Sequence, residues 1–177
     1  MRLKRLAAGL ALGSALLAGA CATLRIGAYV EHDADFSRYH TYAWGPVDAL
    51  PIGDPRLDSN PIFIDYLQGA VERNLRNHRL LLVPASAKPD LLIHFHGSVT
   101  QKIEPGEIDH ELGYRVQAPL VYDEGTLVLD MIDARTDQLV WRGWAIDTLD
   151  GIIGSQDRME RKIDEAVAKM LANLKVL

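Results

Sequence analysis

Cysteine is almost absent from this 177-residue chain, which contains a single one, Cys21. One cysteine has no partner within the chain, so an intramolecular disulfide is excluded. The residue lies near the amino terminus, directly after the small and apolar stretch Leu17-Ala18-Gly19-Ala20. The position of this thiol therefore requires an explanation other than disulfide chemistry.

Basic residues are in the minority: 19 lysines and arginines stand against 24 acidic residues. Three of the basic residues, Arg2, Lys4 and Arg5, fall in the first 20 positions, which contain no acidic residue. The chain from Cys21 onward therefore has 16 basic against 24 acidic residues, a net charge of −8. Such a chain is a poor candidate for binding nucleic acid or anionic lipid by charge.

Long apolar runs and recognisable catalytic signatures are also missing. The longest uncharged apolar segment, residues 6–17, is shorter than the roughly 20 residues that a membrane-spanning helix needs. The chain contains no G-x-S-x-G, no phosphate-binding glycine loop and no metalloprotease helix. No cofactor is predicted, and whether the protein is an enzyme stays open, with a non-enzymatic role favoured.

The first 20 residues have the features of a secretory signal peptide. A positive start is followed by the apolar core and then by Ala18, Gly19 and Ala20 before the cysteine. This pattern resembles the lipobox of bacterial lipoprotein precursors, in which the cysteine thiol carries the lipid; the position three before the cysteine is usually leucine and here is Ala18. The resemblance implies lipidation at Cys21, and Ala22 in place of an aspartate favours the outer membrane of a Gram-negative cell, facing the periplasm. We expect a signal peptide over 1–20, a lipid-anchored tether over 21–34 and one folded domain over 35–177.

The periodicity of the folded region predicts an α+β fold. Residues 35–44, rich in aromatic and β-branched side chains, are typical of a first strand. Asn60-Pro61 starts an amphipathic helix to about His78, and a second helix near the carboxyl terminus follows Ser155. Residues 79–84 and 90–103 predict two strands, and 124–147 a hairpin with its turn at 134–138. The expected order is β-α-β-β-β-β-α: a mainly antiparallel sheet of about five strands with two amphipathic helices packed on one face.

One segment has no clean period. Residues 104–123 contain Pro105-Gly106, Gly113 and Pro119, and we expect a long excursion. Loops of this length are uncommon unless they bind something or are mobile. Tyr114 within it is a candidate for an interaction.

Three motifs together resemble the lipoprotein family catalogued as domain of unknown function 4136. They are DFSRYHTYAW from Asp35, the aspartate-led strand DLLIHFH from Asp90, and YDEGTLVLDMIDARTDQLVWRGWA from Tyr122. The resemblance covers roughly residues 33–174. The hairpin turn of the family often carries a glycine, whereas Thr136-Asp137-Gln138 has none. The family has no established reaction or catalytic residues, so the resemblance implies an anchored envelope protein of unassigned activity.

His94 and His96 are the only candidates for a metal site. At positions i and i+2 of one strand they share a face, and zinc or copper would need at least a third ligand, from His110, Asp109, Glu111 or His40. The alternative is that both are polar residues on the solvated side of a half-buried strand.

Asp130 and Asp133 suggest an acid and base pair, but three apart on a strand they face opposite sides. Asp133 begins a turn, and bonding of its side chain to the turn backbone explains it better.

Arg142 and Trp144 are the main interaction candidates, because arginine and aromatic residues dominate binding patches. The alternative is that Trp141 is core and Trp144 lies under the long loop.

The sequence therefore predicts a membrane-attached binding module whose partner is an envelope protein, glycan or lipid. A metal-dependent or hydrolytic periplasmic enzyme using His94 and His96 is one alternative. A carrier of small apolar ligands between sheet and helices is the other.

Overall fold

The computed structural model describes residues 24–46, 54–104, 108–109, 114–115, 120–172 and 174. Cys21 and the predicted signal peptide lie outside these residues. The strands are β1 (Arg25–Val30), β2 (Thr41–Trp44), β3 (Leu81–Leu82), β4 (Leu91–Glu104), β5 (Ile108–Asp109), β6 (Tyr114–Arg115), β7 (Leu120–Asp133) and β8 (Gln138–Thr148). The helices are α1 (Pro55–Asp58), α2 (Pro61–Asn77) and α3 (Gln156–Leu171). No helix among these residues is long and apolar enough to cross a membrane.

Six strands form one open sheet in the order β1-β8-β7-β4-β2-β3. Strands β1, β8, β7 and β4 pair antiparallel with their neighbours in this order. Strand β2 runs parallel to both β3 and β4. β5 and β6 pair separately as a small two-stranded ladder. The predicted α+β class and the mainly antiparallel sheet are confirmed.

Helices α2 and α3 cover one face of the sheet, as their spacing predicts. Asn60 caps α2, its side chain accepting hydrogen bonds from the amides of Ile62 and Phe63. Ser155 stands at the amino end of α3 but makes no capping bond with its side chain. The buried stripes of both helices face the inward side chains of β4, β7 and β8: Phe63, Leu67, Val71, Leu75, Met159, Ile163, Val167, Met170, Ile93, Leu129, Met131 and Trp141.

Two of the predicted boundaries are wrong. Residues 25–30, expected in the tether, form the edge strand β1, because their backbone pairs with β8 from Arg25 opposite Ile146 to Val30 opposite Trp141. In the first motif only Thr41–Trp44 is a strand, because Phe36–Arg38 forms a 3₁₀ turn capped by Asp35, whose carboxylate accepts a bond from the Ser37 amide.

The expected excursion over 104–123 is also shorter than predicted, because both of its ends are strand. β4 and β7 pair continuously from Leu91 opposite Asp133 to Glu104 opposite Leu120. They extend past the end of β8, whose Thr148 lies opposite Glu124. The inward-facing Ile103 and Val121 of this projecting hairpin are 65% and 52% exposed, so the hairpin reaches beyond the helical layer.

In the turn between β7 and β8, an aspartate rather than a glycine adopts the left-handed backbone conformation. Asp137 has φ of 56°, and its amide donates to the Asp133 carbonyl at 2.8 Å. Aspartate tolerates this conformation better than most residues, since its short polar side chain bonds locally. The tight predicted turn therefore forms without the glycine.

Candidate functional site

A row of polar side chains crosses the sheet on the face opposite the helices. His94, Asp130, Arg142 and Tyr29 are successive partners on β4, β7, β8 and β1. Because side chains alternate between the two faces of a strand, these four point away from the face that carries core residues such as Leu129. Directly paired residues on one face have Cβ atoms about 5 Å apart. The strand register therefore brings together residues that are distant in the sequence.

The Asp130–Arg142 pair is the rigid centre of this row. The Arg142 guanidinium donates from Nε to Oδ1 and from Nη2 to Oδ2 of Asp130, each at 2.6 Å. The hydrogen bonds to Asp130 raise the pKa of Arg142. Asp130 is 3% exposed, whereas the Arg142 side chain is 46% exposed. A bidentate pair of this kind fixes the arginine in one orientation while part of it faces solvent.

His94 is buried beside the backbone of Gly45. A Cβ atom at position 45 would overlap the imidazole, so glycine is needed there for close approach. Burial lowers the pKa of His94, and the nearby Asp130 and Asp137 carboxylates oppose this only in part. Burial therefore favours the neutral imidazole, and the alternative that places His94 on the solvated side of its strand is wrong.

His96 shares that face but is only partly exposed, with Nδ1 3.6 Å from Oδ2 of Asp58. The other oxygen of Asp58 accepts a bond from the Gly97 amide at 3.0 Å. Within the described residues no group of three or more histidine, cysteine or acidic side chains is placed to hold a metal. Two of the predicted third ligands, His110 and Glu111, lie outside those residues.

The predicted interaction residues Arg142 and Trp144 lie two apart on β8 and share the helix-free face. The Trp144 ring covers Gly27 of β1, and Tyr29 beside it is 45% exposed. We call Tyr29, Arg142 and Trp144 the sheet-face patch. Trp141 is fully buried, as the alternative for this residue predicts, and Tyr114 lies on β6 opposite Asp109, away from the six-stranded sheet.

A second cluster forms where β7 ends. The Asp133 carboxylate accepts bonds from the amides of Arg135 and Thr136, the Tyr39 hydroxyl and the Arg38 guanidinium, at 2.9–3.1 Å. Burial alone would raise the pKa of Asp133, but these four donors outweigh it and lower the pKa. The prediction that Asp133 bonds the turn backbone is confirmed, and the same carboxylate also fixes the first motif.

Asp90 has a similar role at the start of β4. Its carboxylate accepts bonds from the amides of His40 and Thr41 and from the Thr41 hydroxyl, each at 2.9 Å. Burial raises the pKa of Asp90, but the three bonds lower it by more. The three motifs therefore meet at one end of the sheet, where their aspartates hold the backbone.

One apolar cavity lies between the sheet and the helices near Leu127, Ala145, Met159 and Ile163, with a volume of about 80 Å³. A cavity of about 150 Å³ is the size that accommodates benzene. This space is smaller than such a cavity.

Comparison with known proteins places these features in a family. The model of the family described as Domain of unknown function (DUF4136) matches residues 28–174. The chain belongs to the DUF4136 family. The match begins within β1, so the family domain includes part of the strand that the sequence analysis assigned to the tether.

Solved structures share the DUF4136 fold at low identity. A DUF4136 family protein from Bacteroides thetaiotaomicron is 12% identical with a TM-score of 0.54, over 88% of this chain and 97% of that one. The PelC dodecamer from Paraburkholderia phytofirmans is 13% identical with a TM-score of 0.50, over 87% and 99%. A PDZ domain protein from Parabacteroides distasonis is 17% identical with a TM-score of 0.55 over 86% of this chain, which spans about a third (35%) of that protein's length. These likenesses show the fold alone, and no curated protein matches the chain significantly.

Proposed function

We propose that this DUF4136 protein is a non-enzymatic binding protein of the Gram-negative envelope, anchored by lipid on Cys21 in the outer membrane and facing the periplasm. The basic start, the 12-residue apolar core and the lone cysteine support the anchor. The partner we propose is another envelope protein, bound at the sheet-face patch.

The observation that carries the binding role is the rigid, half-exposed guanidinium of Arg142 beside Trp144 and Tyr29. Arginine, tryptophan and tyrosine are the residues that contribute most at protein interfaces. The bidentate bonds to Asp130 hold Arg142 in place before binding. A preorganised side chain loses less conformational entropy on association, so the patch is suited to recognition.

The hydrogen bonds that the acidic side chains already make argue against the enzyme alternative. A general acid or base needs a proton position that it can exchange with substrate. Asp90 and Asp133 each accept several bonds that hold the backbone, and Asp130 is held by Arg142. These groups act as structural carboxylates.

The binding role is tested with a photo-crosslinking residue at Tyr29 in cells. We expect one envelope protein to be captured at Tyr29, and to be lost when Arg142→Ala is added. A crosslinker at Glu160, exposed on α3, is the control for proximity alone. Capture of the same proteins from both positions, or capture that is indifferent to Arg142→Ala, would overturn the patch as the binding surface.

The anchor is tested separately by Cys21→Ser. Because the thiol carries the proposed lipid, the variant should leave the membrane fraction or accumulate as unprocessed precursor. Lipid attachment adds about 0.8 kcal/mol of membrane affinity for each buried CH₂ group, so its loss should be evident in simple fractionation. Unchanged mass and membrane association would show that Cys21 carries no lipid.

A further inference from the structure

A cleft of about 580 Å³ opens at the end of the sheet where the three motifs meet. Its walls come from the 3₁₀ turn before β2, the segment between β3 and β4, and the β7–β8 turn. The lining residues that carry charge are Arg38, Lys88, Asp90, Asp133 and Arg135. This is a different surface from the sheet-face patch and is independent of the proposed partner.

The acidic groups of the cleft are already engaged. Asp90 and Asp133 accept three and four hydrogen bonds, respectively, from neighbouring backbone and side-chain donors. Arg38 pairs with Asp133 at 3.1 Å and lies over the Tyr39 ring. Arg38 therefore compensates the charge of Asp133, while neutral donors satisfy the oxygens of Asp90.

Lys88 and Arg135 are the remaining cations. Neither side chain forms a hydrogen bond or ion pair with any residue that the structure describes, and both are exposed. The three cations and two carboxylates that line the cleft leave it one positive charge in excess, with two cations free of ion pairs, although the chain from Cys21 onward has a net charge of −8. A concave surface of locally opposite sign concentrates anions.

The backbone at Lys88 supports a functional reason for this residue. Lys88 has φ of 56°, the left-handed conformation, which costs a residue with a Cβ atom about 1–2 kcal/mol. Glycine or asparagine would adopt it more readily. Lys88 ends the 3₁₀ turn Ala85–Ala87 in this conformation, and it supplies one of the two cations that have no ion pair. Strained positions also cluster at ligand sites.

We propose that this cleft binds a small phosphate monoester. A phosphate monoester carries a charge of about −1.5 to −2 at pH 7 and three acceptor oxygens, so one group can pair with both Lys88 and Arg135, whereas a carboxylate offers one charge and two oxygens. Arginine can donate two parallel bonds to phosphate oxygens and lysine can act as a point charge. The volume exceeds that of the phosphate group, leaving room for the sugar or alcohol that carries it.

The test is titration calorimetry of the full-length chain in non-ionic detergent at low salt, with glucose 6-phosphate, inorganic phosphate and glucuronate as probes. We expect glucose 6-phosphate to bind, glucuronate to bind at least tenfold more weakly, and inorganic phosphate to compete. Absence of binding by glucose 6-phosphate would overturn the proposal. Equal affinity for glucuronate would overturn the assignment to phosphate.

Two variants and a matched control distinguish binding at the cleft from attraction by the overall charge of the protein. Lys88→Asn and Arg135→Gln should each weaken glucose 6-phosphate binding at least tenfold. Arg79→Asn removes one charge from another exposed left-handed position, φ 63°, outside the cleft, and should leave affinity unchanged. Equal losses in all three variants, with thermal unfolding unchanged, would show attraction by net charge alone and overturn the site.

Discussion

At the scale of single residues, the Asp133 carboxylate joins two parts of the chain that are far apart in sequence. It accepts bonds from Arg38 and Tyr39 of the first motif and from the amides of Arg135 and Thr136 in the hairpin turn. Removing a buried hydrogen-bonding partner costs about 1–3 kcal/mol for each group left unsatisfied. Asp133 therefore stabilises the fold, and its negative charge is part of that effect.

We expect Asp133→Asn to lower the free energy of unfolding by about 1–3 kcal/mol at pH 7. The pKa of Asp133 is lowered in the folded state, so its contribution is present above the unfolded pKa of about 4 and is lost as the pH falls through the folded pKa. The difference between variant and parent should therefore shrink at pH 2.5 in urea unfolding. Asp150→Asn, at an exposed turn position, is the control and should follow the parent within about 0.5 kcal/mol. A constant difference at both pH values would contradict the role of the charge.

At the scale of elements, β1 depends on one close contact with its neighbour. The Trp144 ring lies where a side chain at Gly27 would project. An added methyl group must displace either the ring or the strand, and overpacking of this kind costs about 1–3 kcal/mol. The glycine therefore allows the edge strand to join the sheet.

Gly27→Ala should accordingly lower the free energy of unfolding by about 1–3 kcal/mol, as measured in urea. Gly154→Ala is the matched control, because no atom lies within 4 Å of its added Cβ. If the clash with Trp144 is the cause, adding Trp144→Ala should recover part of the loss in a double-mutant cycle. Equal stability of the two glycine variants would show that β1 is not held by this contact.

The elements that the sequence predicts well are those with local signals. Helix α2 has its Asn60 cap and a regular apolar stripe, and the β7–β8 hairpin has alternating strands around a short turn. Strand β1 has no such signal, because its pairing partner β8 lies more than a hundred residues away and four of its six residues are exposed. The first four residues of β7, 120–123, were also missed, because they lie beyond the helical layer and Val121 there is 52% exposed.

The candidate site was partly predictable, because some of its residues also have local sequence signals. The turn bonds of Asp133 follow from local sequence, as does the placement of Arg142 and Trp144 on one face of β8. The cleft at the motif end was not predictable, because Lys88, Arg38 and Arg135 come from three separate segments that only the tertiary fold brings together. Lys88 carries no motif, and its one unusual property, a positive φ, is visible only in the structure.

At the scale of the whole molecule, one end of the sheet lies near Cys21 in the chain and the opposite end carries the cleft. Strand β1 starts at Arg25, four residues after Cys21, and a chain of four residues reaches at most about 14 Å. The β7–β8 turn and the cleft lie at the opposite end of β8, whose 11 residues span roughly 34 Å at about 3.4 Å each. A lipid on Cys21 would therefore keep the Arg25 end near the bilayer and the cleft away from it.

This orientation can be measured with fluorescent labels, because a lipidated Cys21 leaves the folded domain without a thiol. Thr100→Cys places a label near the Arg25 end, where Thr100 pairs with Glu124, and Thr136→Cys places one in the distal turn; both positions are exposed. In vesicles containing nitroxide-headgroup lipid, we expect strong quenching at position 100 and little at position 136, since this quenching acts only over short distances. Equally strong quenching at both positions would mean that the domain lies along the membrane with the cleft end close to the bilayer, and would contradict this orientation.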